Sequence, residues 1–90
     1  MPINYDLAKR ESPRLKAELT RAQKKGYQAV LDAARHAVQS WEAWGAWPDN
    51  WHRWQIAIVD AANQHTRNTG DYVVAPRLED LLRDHYKIAK

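Results

Sequence analysis

A single apolar stripe with helical spacing occupies the first half of the chain. Its members follow one another at steps of three or four residues: Leu15, Leu19, Ala22, Gly26, Val30, Ala33, Ala37, Trp41 and Trp44. The steps repeat with an eleven-residue period, which keeps the stripe on one face of a straight α-helix. The pattern predicts one long helix over residues 13–44, with Ser12 as its N-cap and Pro13 at its first position.

Gly26 leaves a second interpretation open, because Lys24-Lys25-Gly26 also has the form of a helix C-terminus. The stripe keeps its phase across Gly26, which favours one continuous helix over two helices that meet at a kink. Residues 1–11 precede the stripe and show too little apolar alternation to predict a strand. We expect them to form a flexible arm.

The second half of the chain predicts two further helices. Gly45 and Pro48 end the first helix, and a second follows over residues 49–66. This second helix is apolar on more than one side, so we expect it to be central. Residues 68–74 form a loop and an extended connector, and Pro76 begins a last helix over residues 76–88. The sequence therefore predicts one all-α domain over residues 1–90, a three-helix bundle whose first helix is long.

All five tryptophans lie in residues 41–54, WEAWGAWPDNWHRW. Leu, Ile and Val number only sixteen and Phe is absent, so the indoles have to supply much of the core volume. On this interpretation Trp41 and Trp54 are core residues, and Trp51 is a third candidate for the core. The alternative is a protein-binding surface, since interface hot spots are rich in Trp and Arg. Its predicted residues are Trp44, Trp47, Trp51 and Arg53.

Positive charge is concentrated in the first third of the chain. Residues 1–28 hold seven cations against three acids, although the whole chain has a net charge of only +3. The cations are Lys9, Arg10, Arg14, Lys16, Arg21, Lys24 and Lys25. A basic helical face of this kind can follow phosphates. The competing interpretation is an ordinary solvated face with intrahelical ion pairs.

The sequence favours no catalytic, metal or cofactor site. There is no cysteine, and none of the four histidines has the spacing of a zinc motif. Glycine-rich phosphate loops and nucleophile elbows are absent from the sequence. No apolar run reaches the length of a membrane span, and the N-terminus lacks the apolar segment of a signal peptide. We expect a cytoplasmic protein that is not an enzyme.

The stretch Trp47-Pro48-Asp49-Asn50-Trp51-His52-Arg53-Trp54-Gln55 resembles a motif of small helical proteins of actinobacteria and their phages. Those proteins share the pattern W-P-D-x-W-x-R-W-Q followed by an Ala-rich helix, and the resemblance covers residues 41–62. It implies a small helical protein that acts on a host or phage partner, and it transfers no functional residue.

Three functions follow from these patterns. The leading hypothesis is a non-enzymatic module that binds another protein through its Trp-rich surface. The first alternative is a small nucleic-acid-binding regulator that uses the basic first third. The second alternative is an oligomeric structural protein with all its tryptophans internal. A homodimer is attractive because the Leu15–Val30 part of the stripe has little else to cover it.

Overall fold

The computed structural model describes residues 4–89, with side chains described for residues 4–84. This part of the chain forms four α-helices and no β-strand. The helices are α1 (Tyr5–Lys25), α2 (Tyr27–Trp44), α3 (Trp51–Thr69) and α4 (Leu78–Ala89). The predicted all-α class is confirmed. Within the described residues, no helix combines the length and apolarity needed to cross a membrane.

The predicted continuous helix over residues 13–44 is wrong, because the chain reverses at Gly26. This residue has φ 131° and ψ −172°, far from helical values. The backbone N–H of Asn4 donates to the Trp44 carbonyl at 2.8 Å, and His36 Nδ1 lies 2.8 Å from Glu18 Oε2. In a straight helix, residues eighteen positions apart would be separated by about 27 Å. Helices α1 and α2 therefore form an antiparallel hairpin in which the two halves of the stripe cover each other.

The first helix also begins earlier than predicted. Asn4 is its N-cap, and the Asn4 Oδ1 atom accepts a hydrogen bond from the Leu7 N–H at 3.1 Å. Pro13 therefore lies inside α1, on the exposed side of the helix. Of the predicted flexible arm, residues 5–11 are helical, and Leu7 and Ala8 pack against the core. Residues 1–3 of that arm lie outside the described part of the chain.

Helix α2, and not the predicted second helix, is the centre of the fold. It packs against α1, α3 and α4, and it holds eight of the buried residues. Three of these are alanines: Ala33, Ala34 and Ala37. Helix α3 is more peripheral, because it leaves Ile56 58% exposed and touches α1 only sparsely. Of the two apolar sides of α3, the one that carries Ile58 is buried and the one that carries Ile56 is exposed.

The turns follow the predicted stop signals. Gly45 ends α2 in the left-handed conformation with φ 86°, as expected for a glycine C-cap. Residues 70–77 form the extended connector, and it returns along α3 to the side chain of Gln55. That side chain donates from Nε2 to the Pro76 carbonyl and accepts at Oε1 from the Leu78 N–H, both at 3.1 Å. Gln55 thereby fixes the point where α4 begins.

Candidate functional site

The tryptophans form a cluster where the end of α2 meets the start of α3. The Trp41 ring lies 5.5 Å from Trp47 and 5.7 Å from Trp54, centroid to centroid, the latter pair edge-to-face. Trp47 continues the cluster to Trp51 at 6.0 Å. Edge-to-face geometry is favourable for aromatic rings at this spacing. The core interpretation of Trp41 and Trp54 is confirmed, since they are 1% and 3% exposed.

The expectation that Trp44 faces outward is wrong. Its side chain is 3% exposed, because it lies on the inner face of α2. Trp47 and Trp51 are half-buried, and Arg53 is exposed on α3. The four residues predicted as a protein-binding surface therefore do not form one protruding patch. Trp47 is the member that combines partial exposure with a place beside a surface groove.

This groove, which we call the Trp groove, lies between the start of α1 and the turn after α2. Its cavity volume is about 510 Å³. Tyr5, Lys9 and Ser12 line one wall, and Trp44, Trp47 and Asp49 line the other. The side chain of Tyr5 is 73% exposed at its edge. The groove offers aromatic surface between one cation and one carboxylate.

Helix α1 carries all seven predicted cations, and each of them is exposed. Steps of four, seven and four residues place Arg10, Arg14, Arg21 and Lys25 in one stripe along the helix. Lys9 and Lys16, seven residues apart, form a second stripe on the side that carries Tyr5 and Gln23. Leu15 and Ala22 face the core. The solvent-facing half of α1 is therefore basic along most of its length.

The acids of α1 do not neutralise this basic face. Asp6 lies in the first turn, where a carboxylate complements the helix dipole. Glu18 turns to His36 on α2, and Glu11 pairs with Arg14 at 3.6 Å. Within the part of the chain that the structure describes, Arg14 is the one member of the seven with a carboxylate partner. The interpretation as an ordinary ion-paired face does not describe the other six.

A second cavity of about 320 Å³, here called the Tyr27 cleft, lies between the Gly26 turn and α3. Tyr27 and His65 meet in it with ring centroids 5.5 Å apart. Other lining residues are polar or small: Gln23, Gly26, Ala57, Asp60, Ala61, Gln64, Asn68 and Thr69. Its lining residues thus come from the Gly26 turn and three helices, α1, α2 and α3.

The histidines are dispersed. His36 pairs with Glu18, His52 lies against Trp51 with centroids 3.8 Å apart, and His65 lines the Tyr27 cleft. The side chain of His85 lies outside the described residues. Among those that are described, no group of three or more His, Asp or Glu side chains is placed to hold a metal ion.

No family model, curated protein or solved structure matches this chain. The resemblance of residues 41–62 to proteins of actinobacteria and their phages stays a prediction.

Sequence reasoning missed the Tyr27 cleft. Its residues come from the end of α1, the start of α2 and the second half of α3, and they are adjacent only after the chain reverses at Gly26. One signal was present: Gln64, His65 and Asn68 are polar residues within two turns at the end of an Ala-rich helix. Without the hairpin nothing in the sequence places Tyr27 opposite them.

Proposed function

We propose that this protein is a non-enzymatic nucleic-acid-binding module that contacts phosphates through the basic face of α1. The observation that carries the proposal is the segregation of charge on that helix. Seven exposed cations share α1, and six of them have no carboxylate partner among the described residues. Keeping like charges together costs stability. A polyanionic partner would offset that cost when bound.

The length of the basic face also suits an extended polyanion. From Lys9 to Lys25 the helix rises about 24 Å, at about 1.5 Å per residue. Helix α1 is an outer helix, so its solvent-facing half is accessible along this whole distance. Phosphate contacts of this kind give affinity without sequence selectivity.

The test is fluorescence anisotropy of a labelled oligonucleotide titrated with the protein at several salt concentrations. If all six unpaired cations neutralise a phosphate, log K should fall against log salt with a slope of about −5 on duplex DNA. The double variant Arg10→Glu/Arg21→Glu should abolish binding at about 100 mM salt, because it reverses two charges of one stripe.

The matched control is Arg53→Glu/Arg67→Glu. Both residues are exposed on α3, and the net charge changes by the same amount. This variant should keep most of the affinity. Equal losses from the two double variants would show that net charge alone attracts the oligonucleotide. Undetectable binding of the native protein at low salt would overturn the proposal.

A second candidate function, binding of another protein, is favoured by the Trp groove. An exposed aromatic wall beside a cation and a carboxylate suits a short peptide segment with an apolar side chain. Of the predicted binding residues, Trp44 and Trp47 line this groove, whereas Trp51 and Arg53 do not. In this arrangement a side chain of the partner would insert into the groove.

This candidate is tested by selecting peptides from a displayed random library on the native protein. Peptides that bind the groove should lose affinity for Trp47→Ser and Lys9→Glu and keep it for Arg53→Glu. Trp44→Ala is unsuitable, since removing a buried indole costs about 3–5 kcal/mol of stability. Selection of no peptide sensitive to Trp47→Ser would contradict the candidate.

A cytoplasmic location and a phage or actinobacterial origin belong to the proposal as well. The support for the first is the cysteine-free sequence, and for the second the motif at residues 47–55.

A further inference from the structure

The Tyr27 cleft adjoins the basic helix. Gln23 and Gly26 line the cleft, and Lys24 and Lys25 lie between them in the chain. Both lysines are exposed. A ligand in the cleft would therefore lie beside the C-terminal end of α1, close to the positive charges of Lys24 and Lys25.

The volume and the aromatic wall of the cleft suit one flat group. About 320 Å³ is at the small end of the range for ligand sites. Tyr27 and His65 are half-buried, so part of each ring remains open to the cavity. Ala57 and Ala61 form a floor without long side chains. A planar ring that enters here meets aromatic surface and no obstructing chain.

The rim supplies hydrogen-bonding groups suited to a base edge. Gln23, Gln64 and Asn68 bring amides, which both donate and accept, and all three are exposed. Such amides form paired hydrogen bonds with the edges of bases. In the described part of the chain, these three side chains have no hydrogen-bond partner within the protein. They are free to bind a ligand.

The side of α1 that faces the cleft continues as a basic path. Gln23 shares this side with Lys16 and Lys9, at steps of seven residues, and the path ends at Tyr5 and the Trp groove. Non-specific single-strand binding sites combine such a path for the backbone with aromatic side chains for the bases. In duplex DNA the bases are stacked and paired, so none can enter a cleft without being flipped out.

We propose that the Tyr27 cleft binds an unstacked base of a single-stranded nucleic acid whose backbone follows Lys16 and Lys9 along α1. The inference rests on the proposed nucleic-acid-binding function and narrows its ligand class. Tyr27 stacks on the base, and Gln23, Gln64 and Asn68 bind its edge. Selectivity for single strands over duplexes is the property that this cleft adds to the phosphate contacts.

The experiment compares four labelled probes of equal length by anisotropy at one salt concentration: single-stranded DNA, single-stranded RNA, duplex DNA and an abasic DNA strand. We expect a single strand with bases to bind about tenfold more tightly than the abasic strand, which retains the phosphates but cannot stack. Tighter binding of the RNA than of the DNA strand would identify RNA as the ligand, and the reverse order would identify DNA.

The variants separate stacking from charge. Tyr27→Leu should remove most of the difference between the normal and abasic strands, whereas Tyr27→Phe should keep it, because Phe retains the ring. Should Tyr27→Leu fail to fold, Gln64→Leu/Asn68→Leu tests the same site from exposed positions and should change the preference among bases. Lys16→Glu should weaken single-strand binding more than Arg53→Glu does.

The outcomes distinguish this inference from the proposed function. Equal affinity for all four probes, unchanged by Tyr27→Leu, would overturn base binding and leave phosphate binding by α1 intact. Absence of binding to every probe at low salt would overturn both. Tighter binding of the duplex than of the single strand would also reject the cleft as a base site.

Discussion

Gln55 of α3 links the connector to the start of α4 through its side-chain amide. Its half-buried amide bonds the carbonyl of Pro76 and the N–H of Leu78 at once. The first contact fixes the end of the connector, and the second provides a partner for an N–H group at the start of α4, where the helix itself supplies none. Leu78 is fully buried, so these two hydrogen bonds, here called the Gln55 clamp, also determine how the start of α4 packs against the core.

Replacing Gln55 by Leu should destabilise the protein by about 1–3 kcal/mol, because two partly buried backbone groups would lose their partner. Urea denaturation measures this loss, and hydrogen exchange should show faster exchange of the Leu78 amide. Gln64→Leu, the same change at an exposed position of α3, should alter stability by less than about 0.5 kcal/mol. Equal effects of the two changes would show that the clamp does not hold α4.

At the scale of the elements, the α1–α2 hairpin depends on one residue. Gly26 alone connects the two helices. Its backbone conformation, φ 131° and ψ −172°, is one that residues other than glycine essentially do not adopt. A Cβ atom at this position would have no neighbour within 4 Å. Larger residues are therefore disfavoured by the backbone conformation and not by steric overlap with other residues. The apolar stripe fits either a hairpin or a straight helix. Gly26 selects the hairpin.

Gly26→Ala should therefore destabilise the hairpin by about 1–3 kcal/mol and favour one continuous helix over residues 5–44. Such a helix would expose its stripe and pair with a second chain by domain swapping. Sedimentation velocity should show a dimer for this variant, whereas we expect a monomer for the native protein. Gly70→Ala, which also replaces a glycine of positive φ (79°), should lower stability but leave the protein monomeric. A monomeric Gly26→Ala variant of native stability would refute this account of the turn.

At the scale of the whole molecule, the hairpin removes the reason to expect a homodimer. The part of the stripe that the sequence leaves uncovered is buried within one chain, with Leu15 2% and Val30 0% exposed. The radius of gyration is 13.5 Å, close to the value of about 12 Å for a compact domain of this length. Large exposed apolar side chains are confined in the described region to a few residues: Tyr5, Ile56, Val59, Tyr72 and Val74.

We therefore predict that the native protein sediments as a monomer of 10.5 kDa. This result would also count against an oligomeric structural role. If a dimer formed instead, Ile56→Lys should dissociate it, because Ile56 is the large aliphatic side chain that the described part of α3 exposes most. A dimer insensitive to Ile56→Lys would place the interface elsewhere and contradict the exposure argument.

The candidate site was predictable only where its residues are consecutive. The seven cations were found because they occupy one segment, and the Trp cluster because its members lie on both sides of one turn. The burial of Trp44 was predictable, since the apolar stripe includes this residue; the error lay in also assigning it to a protein-binding surface. The Tyr27 cleft depends on contacts between residues 23–27 and residues 57–69. The spacing of residues within one segment gives no information about contacts between two distant segments.

The sequence by itself determined the all-α class, the stops at Gly45 and Gly70, and the basic character of α1. These are local properties, set by side-chain periodicity, by glycine at positive φ and by composition. Only the tertiary structure decided that α1 and α2 fold back on each other and that α2 is the central helix. The physical reason is that an apolar stripe identifies the face of a helix that must be buried, but it does not identify the segment that buries it. The same apolar area is buried by a hairpin or by a partner chain, and the choice rests on the backbone conformation of Gly26.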